Sequence, residues 1–209
     1  LVIDGTPEPA EITLSASDDT ALEMQLGLAS DLSGASWESY NSTTTLALST
    51  SPETVYVRFR DAKGNQTSIL NAATPPTPQN PMIQDTSNMN LDPPEYRLFL
   101  AWEALDNPPD PGFHSYNIYR STDNVNFSKL AEITDMTLNY YGASSVNAST
   151  TYYYKLSVKD DNDSESILSN SLYGLANGVQ DAGEGGGGTE GTPPIISNVS
   201  APTSTIYTT

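Results

Sequence analysis

The sequence predicts an all-β protein with two consecutive antiparallel β-sandwiches, followed by a linker and an extended strand. Apolar and polar residues alternate in short runs, which is the period of a half-buried strand. Turn-forming residues interrupt these runs about every ten positions, as expected of a sandwich. No segment shows a sustained helical period. The 209 residues exceed a typical domain, so two hydrophobic cores fit the length.

The first sandwich is predicted over residues 1–75. Its early strands carry apolar residues at every second position, so that these side chains share one face. The alternating residues are Ile12, Leu14, Leu22, Met24, Leu26, Leu46 and Leu48. Each of these runs is therefore expected to face a common core.

The clearest hairpin of the first sandwich follows at Val55. The side chains expected to point inward are Val55, Val57 and Phe59. A turn over residues 61–65 comes next, in which Gly64 can adopt the positive φ that a tight turn requires. A short strand is then expected to run through Ile69.

A family resemblance is carried by Trp37, Tyr40 and the hairpin over residues 55–65. This string resembles immunoglobulin-like repeats found in large secreted and cell-surface proteins of bacteria and archaea. The resemblance covers most of residues 1–75. It implies an immunoglobulin-like β-sandwich for this domain.

A proline-rich connector is predicted over residues 76–81. The prolines of this region are Pro75, Pro76, Pro78 and Pro81. Such a segment favours polyproline geometry and resists bending. We therefore expect the two sandwiches to sit end to end as a semi-rigid rod.

The second sandwich is predicted over residues 82–176. Leu98, Leu100 and Trp102 share one face of a strand, while the residues between them share the other. A proline-rich turn over residues 106–112 ends this strand. Further alternating strands follow, with inward positions at Tyr116, Ile118, Tyr152, Tyr154, Leu156 and Val158.

Trp102, Tyr116 and Tyr152 carry a second resemblance. Their order, with Tyr152 six residues after Val146, resembles a fibronectin type III domain over nearly all of residues 82–176. The resemblance implies that Trp102 packs in the core. It also implies that the Tyr152 hydroxyl bonds to an upstream backbone group. Together the two domains resemble a bacterial or archaeal cell-surface tandem.

The C-terminal part divides into a glycine-rich linker, residues 177–192, and a strand-like segment, residues 193–209. The linker composition cannot bury a core. The last segment is either the start of a further domain or a strand donated to a neighbouring molecule. Its candidate assembly residues are Ile195, Ile196, Val199, Ile206 and Tyr207.

The charge balance excludes several classes of partner. Eight Lys and Arg against 26 Asp and Glu give a net charge of −18. Such a field repels phosphate backbones and anionic headgroups, so neither nucleic acid nor membrane insertion is expected. Cysteine is absent, which excludes disulfides and thiolate metal sites.

The residues do not indicate catalysis or a cofactor. His114 is the single histidine of the chain, so a pair of histidine metal ligands or a histidine general base with a histidine partner cannot form. The glycine run over residues 185–188 lacks the Lys and Ser/Thr of a phosphate-binding loop. We therefore expect no enzyme and no catalytic or cofactor-binding residues.

One acidic cluster is a calcium candidate. Asp160, Asp161 and Asp163 offer hard oxygen ligands at close spacing, with Glu165 nearby. The spacing is not that of an EF-hand, and Asp and Asn also favour hairpin turns. The favoured interpretation is a solvated turn, with calcium as the alternative.

A carbohydrate surface is the other candidate binding site. Tyr119, Tyr153 and Tyr173 are expected on outward strand faces, where aromatic rings can stack on sugars. Aromatic residues on sandwich strands more often serve packing. A glycan partner stays open beside this interpretation.

The sequence thus favours a non-catalytic structural or adhesive module of an extracellular or cell-surface multidomain protein or filament. Its partners would be proteins, among them copies of itself. The alternative is an accessory spacer or carbohydrate-binding module of a secreted polysaccharide-degrading enzyme.

Overall fold

The structure, a computed structural model, describes residues 1–6 and 8–178. These residues form an all-β protein with fourteen strands and no helix. The strands are β1 (Val2–Asp4), β2 (Ala10–Thr13), β3 (Glu23–Gly27), β4 (Glu38–Ser39), β5 (Thr43–Leu46), β6 (Thr54–Arg60), β7 (Leu70–Ala73), β8 (Met82–Asp85), β9 (Leu98–Ala101), β10 (Phe113–Ser121), β11 (Ser128–Ile133), β12 (Tyr140–Ala143), β13 (Thr151–Asp160) and β14 (Leu172–Leu175).

The first sandwich consists of strands β1 to β7. A three-stranded sheet in the order β1-β2-β5 faces a four-stranded sheet in the order β4-β3-β6-β7, and the pairings within both sheets are antiparallel. Side chains from the two inner faces form one core. The buried members are Ile3, Ile12, Leu14, Met24, Val55, Val57 and Phe59.

The hairpin between β6 and β7 shows how this sequence sets its register. Three alternate residues of β6 point inward, and Phe59 lies opposite Met24 of β3. Gly64 has φ 87° and donates its N–H to the Asp61 carbonyl at 3.0 Å. A side chain is costly at such a φ, so glycine suits this turn.

The strand after this turn differs from the sequence prediction. It was expected to run through Ile69, but β7 begins at Leu70. The Thr67 hydroxyl accepts the Phe59 N–H at 3.1 Å and thereby replaces a backbone carbonyl of the ladder. Such side-chain bonds compete with regular pairing, which delays the start of the strand.

The second sandwich consists of strands β8 to β14 and repeats this arrangement. Its sheets have the orders β12-β9-β8 and β11-β10-β13-β14. In each sandwich, strands one, two and five form the smaller sheet, and strands three, four, six and seven form the larger one. In the constant-type immunoglobulin arrangement the fourth strand joins the other sheet. The two sandwiches thus share a strand order.

The core of the second sandwich is rich in aromatic side chains. Trp102 and Tyr116 are 3% and 0% exposed. Their rings meet edge to face, with centroids 5.2 Å apart, and Phe113 approaches Tyr116 at 4.8 Å. Tyr152 packs beside them, and its hydroxyl accepts the Asn147 N–H at 3.1 Å. This is the upstream backbone bond that the resemblance implies for Tyr152.

Candidate functional site: the junction of the two sandwiches

Strand β1 pairs on both of its edges. One edge pairs with β2, where Ile3 lies opposite Ile12. On the other edge, the Glu165 N–H donates to the Ile3 carbonyl at 2.7 Å, and the Gly5 N–H donates to the Glu165 carbonyl at 3.0 Å. Ile3 N–H also donates to the Ser164 hydroxyl at 3.2 Å. A strand of the first sandwich therefore extends a sheet of the second.

The segment that receives β1 lies along β13. Ser166 and Ser169 donate their N–H groups to the carbonyls of Val158 and Leu156 at 2.9 and 2.8 Å. Their hydroxyls accept the N–H groups of the same two residues, each at 3.0 Å. Serine side chains therefore complete the pairing along this edge of β13. The backbone of Glu165 stays available for β1.

Gly5 is required by the close approach of the two backbones. A Cβ atom at this position would lie 2.6 Å from the Ile167 nitrogen and 2.7 Å from the Ser166 carbonyl carbon. Contacts this short with backbone atoms force the chains apart. The residue type at position 5 therefore decides whether β1 can reach the second sandwich.

Beneath this contact lies a buried polar cluster centred on Glu165. The residue is 8% exposed, while Asn117 and Ser157 are 0% exposed. The Glu165 Oε1 atom accepts bonds from Asn117 Nδ2 at 2.7 Å, from the Tyr119 hydroxyl at 2.8 Å and from the Ser157 hydroxyl. A buried carboxylate needs such donors, since its desolvation is otherwise costly.

Tyr119 is held as a neutral donor in this cluster. Burial raises its pKa well above the ordinary value, and the carboxylates of Glu165 and Asp4 raise it further. The hydroxyl therefore keeps its proton across the physiological range. Tyr119 thus keeps the proton that it donates to Glu165.

The proline-rich connector meets the same segment. Thr77 Oγ1 donates to the Ile167 carbonyl at 3.0 Å. At the start of the connector, Thr74 N–H donates to the Glu53 carbonyl at 2.9 Å, which holds it to the first sandwich. The connector was the one link between the sandwiches that the sequence predicted. The structure adds β1 as a second coupling.

The expected solvated turn over residues 160–165 is only partly solvated. Asp160 is 2% exposed and Glu165 8%, which corrects the prediction for these two residues. The Asp160 Oδ1 atom accepts the N–H groups of Asn162 and Ser164, both at 2.9 Å. Burial raises the Asp160 pKa. This carboxylate therefore organises the turn that presents Ser164 to β1.

The other two calcium candidates have separate partners. Asp163 pairs with Lys159 at 2.7 Å, and Asp161 lies 3.8 Å from His114 Nδ1. The described residues contain no cluster of three histidine or carboxylate side chains that could hold a metal ion. The geometry thus gives the calcium hypothesis no support.

Several predicted features lie elsewhere. Tyr153 and Tyr173 lie on the outer face of the larger sheet of the second sandwich, with ring centroids 6.4 Å apart. His114 lies at the surface, 3.6 Å from Glu132. Two predicted features lie outside the described residues. They are residues 179–192 of the predicted linker and the assembly candidates Ile195, Ile196, Val199, Ile206 and Tyr207. The described residues contain no helix long and apolar enough to cross a membrane.

Comparisons with known proteins give only distant likenesses. No protein-family model matches this chain, and no curated protein does either. Among solved structures, the chain is similar to domains FN1–FN3 of chicken CNTN1, with 11% identity and a TM-score of 0.38, covering 83% of this chain and 62% of that one. A β-1,2-glucanase from Parabacteroides distasonis gives 15% identity and a TM-score of 0.37, covering 81% of this chain and 30% of that one.

A cytokine receptor complex gives 10% identity and a TM-score of 0.35, covering 84% of this chain and 95% of that one. The chain thus spans less than two thirds of the first two of these structures. The fold assignment therefore rests on the strands and cores described above.

Sequence reasoning missed the residues that build the junction. Gly5 and Glu165 gave no periodic signal, because their partners are about 160 positions away in the chain. One local signal exists: three serines, Ser164, Ser166 and Ser169, lie within the nine residues that follow β13. Serines that lie beside a strand can bond its backbone, so a cluster of this kind indicates irregular pairing.

Proposed function

We propose that this chain is a non-catalytic structural module of an extracellular or cell-surface protein, and that it holds two β-sandwiches in one fixed relative orientation. The observation that carries this proposal is the pairing of β1 with β2 on one edge and with residues 164–165 on the other. The junction therefore gives the module a defined shape.

The physical argument rests on how domains are usually joined. Two domains connected only by a linker are expected to move relative to one another. Here Ile3 and Gly5 make two backbone–backbone bonds and one bond to the Ser164 hydroxyl, and the Thr77 hydroxyl adds a fourth bond to the same segment of the second sandwich. A module of this kind suits a spacer, which must set a distance and a direction.

The remaining parts of the proposal concern location and partners. The folds resemble tandem domains of bacterial or archaeal surface proteins, and a net charge of −18 disfavours nucleic acid and anionic membranes. Adhesion through protein partners, or polymerisation with other copies through residues 193–209, fits such a spacer. Deletion of residues 193–209 followed by light scattering tests the polymer.

The relative motion of the two sandwiches tests the proposal. NMR relaxation of the whole chain should give both sandwiches one rotational correlation time. In Gly5→Ala the Cβ atom forces β1 off the receiving segment, so the two sandwiches should acquire separate, shorter correlation times. A wild-type chain whose sandwiches already tumble separately would exclude a fixed spacer.

Gly142→Ala provides the matched control. A Cβ atom at this glycine meets no other atom within 4 Å, so the substitution adds the same methyl group without a clash. It should keep a single correlation time. If Gly5→Ala also unfolds the first sandwich, Thr77→Val, which removes only the connector bond, should still increase the relative motion.

A second candidate function is that of an accessory module in a secreted polysaccharide-degrading enzyme. The observation that favours it is the pair formed by Tyr153 and Tyr173 on an outer sheet face. A hydrolase domain elsewhere in the full-length protein would favour this function. A series of further sandwiches would favour the spacer.

A further inference from the structure

The two most exposed large hydrophobic side chains of the described residues belong to one end of the second sandwich. Val125 is 76% exposed and Tyr173 is 69% exposed. The Ser171 hydroxyl donates to Asn124 Oδ1 at 2.6 Å, which fixes the turn carrying Val125 to the segment that enters β14. Grouped exposed apolar side chains indicate a binding surface more than scattered ones do.

The floor of this surface is a pair of tyrosines. Tyr153 of β13 lies directly opposite Tyr173 of β14. Tyr152 and Tyr154 are 5% and 0% exposed, so the alternation along β13 turns Tyr153 to the outer face. The two rings are 6.4 Å apart and tilted by 45°. They therefore form a short twisted aromatic strip.

The turn beside the strip is built in advance of any ligand. The Asp123 carboxylate accepts bonds from the Ser121 hydroxyl at 2.7 Å and from the Val125 and Asn126 N–H groups at 2.9 and 2.8 Å. These bonds, first among them that from Ser121, hold the Asp123 pKa far below its ordinary value. The turn thus needs no ordering on binding.

Phe127 continues the aromatic surface beyond the turn. The Lys155 ammonium lies 5.1 Å from the centroid of its ring. Lys155 and the Asp123 carboxylate of the neighbouring turn thus place one positive and one negative charge beside these rings, whereas the whole chain carries −18.

We propose that Tyr153, Tyr173 and Phe127 form a binding platform for a neutral glycan chain. Aromatic rings present apolar faces that can stack on the C–H faces of sugar rings. The Ser171 hydroxyl, Asn124 Oδ1 and Asn126 Nδ2 are used in bonds within this end of the sandwich. The Asn124 amide nitrogen and the Asn126 amide oxygen are the polar groups that can meet the sugar hydroxyl groups. The net negative field of the chain disfavours polyanionic glycans.

The size of the platform also matches a glycan. The tyrosine pair spans two strands, or about 5 Å between their axes. A stable protein interface needs about 800 Å² on each partner. A single sugar chain matches the narrow strip better than a protein surface does.

Binding of neutral oligosaccharides to the whole chain tests this site. We would titrate β-1,2-, β-1,3- and β-1,4-linked gluco-oligosaccharides and malto-oligosaccharides, and follow binding by NMR and calorimetry. At least one should bind, with shifts in β13, β14 and residues 121–127. Tyr173→Ala should weaken that binding about tenfold through loss of one aromatic contact. Because Tyr173 is 69% exposed, the fold should survive.

Tyr140→Ala is the matched control. Tyr140 is 48% exposed on the smaller sheet of the same sandwich, where its ring stacks on Phe99. It should leave glycan affinity unchanged. Three results would overturn the platform. The first is that no oligosaccharide of the panel binds, and the second is that Tyr173→Ala binds as tightly as the wild type. The third is that polygalacturonate binds more tightly than the neutral oligosaccharides. These outcomes do not affect the proposed spacer, since its junction is built by Gly5 and Glu165 and not by the residues of the platform.

Discussion

The two sandwiches have the same strand order but differ in what stabilises them. The core cluster of the first has seven buried hydrophobic residues, of which one is aromatic, Phe59. The second has twelve, and four of them are aromatic: Trp102, Tyr116, Tyr152 and Tyr154. The first sandwich also depends on β1, whose outer edge is completed by the second. A shared strand order therefore does not imply equal or independent stability.

The difference in stability between the two sandwiches should be clearest when one core residue of each is replaced in turn. Leu156→Ala in the second core and Met24→Ala in the first should each cost roughly 2–5 kcal/mol of unfolding free energy. Leu156→Ala keeps the backbone bonds between Leu156 and Ser169 but leaves a cavity beneath β13. The resulting shift of β13 should also loosen the segment that receives β1, and with it the first sandwich. Met24→Ala should affect the first sandwich alone.

Hydrogen exchange followed by mass spectrometry separates these outcomes, because it reports each sandwich by its own peptides. Unchanged protection of β1 to β7 in Leu156→Ala would show that the two sandwiches are independent. Chemical denaturation of the same variants gives the overall free energies.

The polar cluster of the junction should show the next largest effect. Glu165→Ala leaves the donors of Asn117, Ser157 and Tyr119 without this acceptor, and should cost roughly 2–4 kcal/mol. Glu95→Ala removes only an exposed partner of Arg97 and should cost under about 0.5 kcal/mol. Urea unfolding measures both variants. Equal costs would mean that the buried cluster adds nothing to stability.

Each sandwich contains a tyrosine hydroxyl whose contribution to stability can be compared with that of the other. The Tyr40 hydroxyl donates to the Leu14 carbonyl at 3.1 Å and accepts the Ala16 N–H at 3.2 Å. The Tyr152 hydroxyl accepts the Asn147 N–H. Since one such bond contributes about 1 kcal/mol, Tyr40→Phe should cost more than Tyr152→Phe. Denaturant midpoints decide the order, and the reverse order would show that the Tyr152 bond contributes more.

The smallest expected effect concerns two similar turns, one in each sandwich. Hydrogen bonding from Asn65 lowers the Asp61 pKa, and bonding from Ser121 lowers that of Asp123 to a greater extent. A carboxylate with a lowered folded pKa stabilises the fold above the unfolded pKa of about 4, and this contribution is lost as pH falls toward the folded value.

Asp123→Asn should therefore reduce the acid sensitivity of the second sandwich more than Asp61→Asn reduces that of the first. Melting temperatures measured between pH 6 and pH 2.5 test this difference. Identical pH profiles for the two variants and the wild type would show that neither turn carries the effect.

Local patterns were sufficient to predict most of both cores, although Ile3 of β1 was not predicted and Leu22 does not belong to the first core. Val55, Val57 and Phe59 alternate within one strand, and Leu98, Leu100 and Trp102 do the same, so their burial follows from the period of a strand. The start of β7 was not predictable in this way, because the Thr67 hydroxyl competes with the backbone ladder. The turn at Gly64 was predictable, because the glycine expected to adopt a positive φ does so in the structure.

The sequence by itself determined that this is an all-β chain whose two halves each alternate apolar and polar residues, because side-chain alternation is a property of neighbouring residues. Only the tertiary structure decided that β1 pairs with residues 164–165 and that Glu165 is buried beneath them. Those contacts join positions about 160 residues apart, and their energy depends on backbone approach at Gly5, which no local pattern encodes.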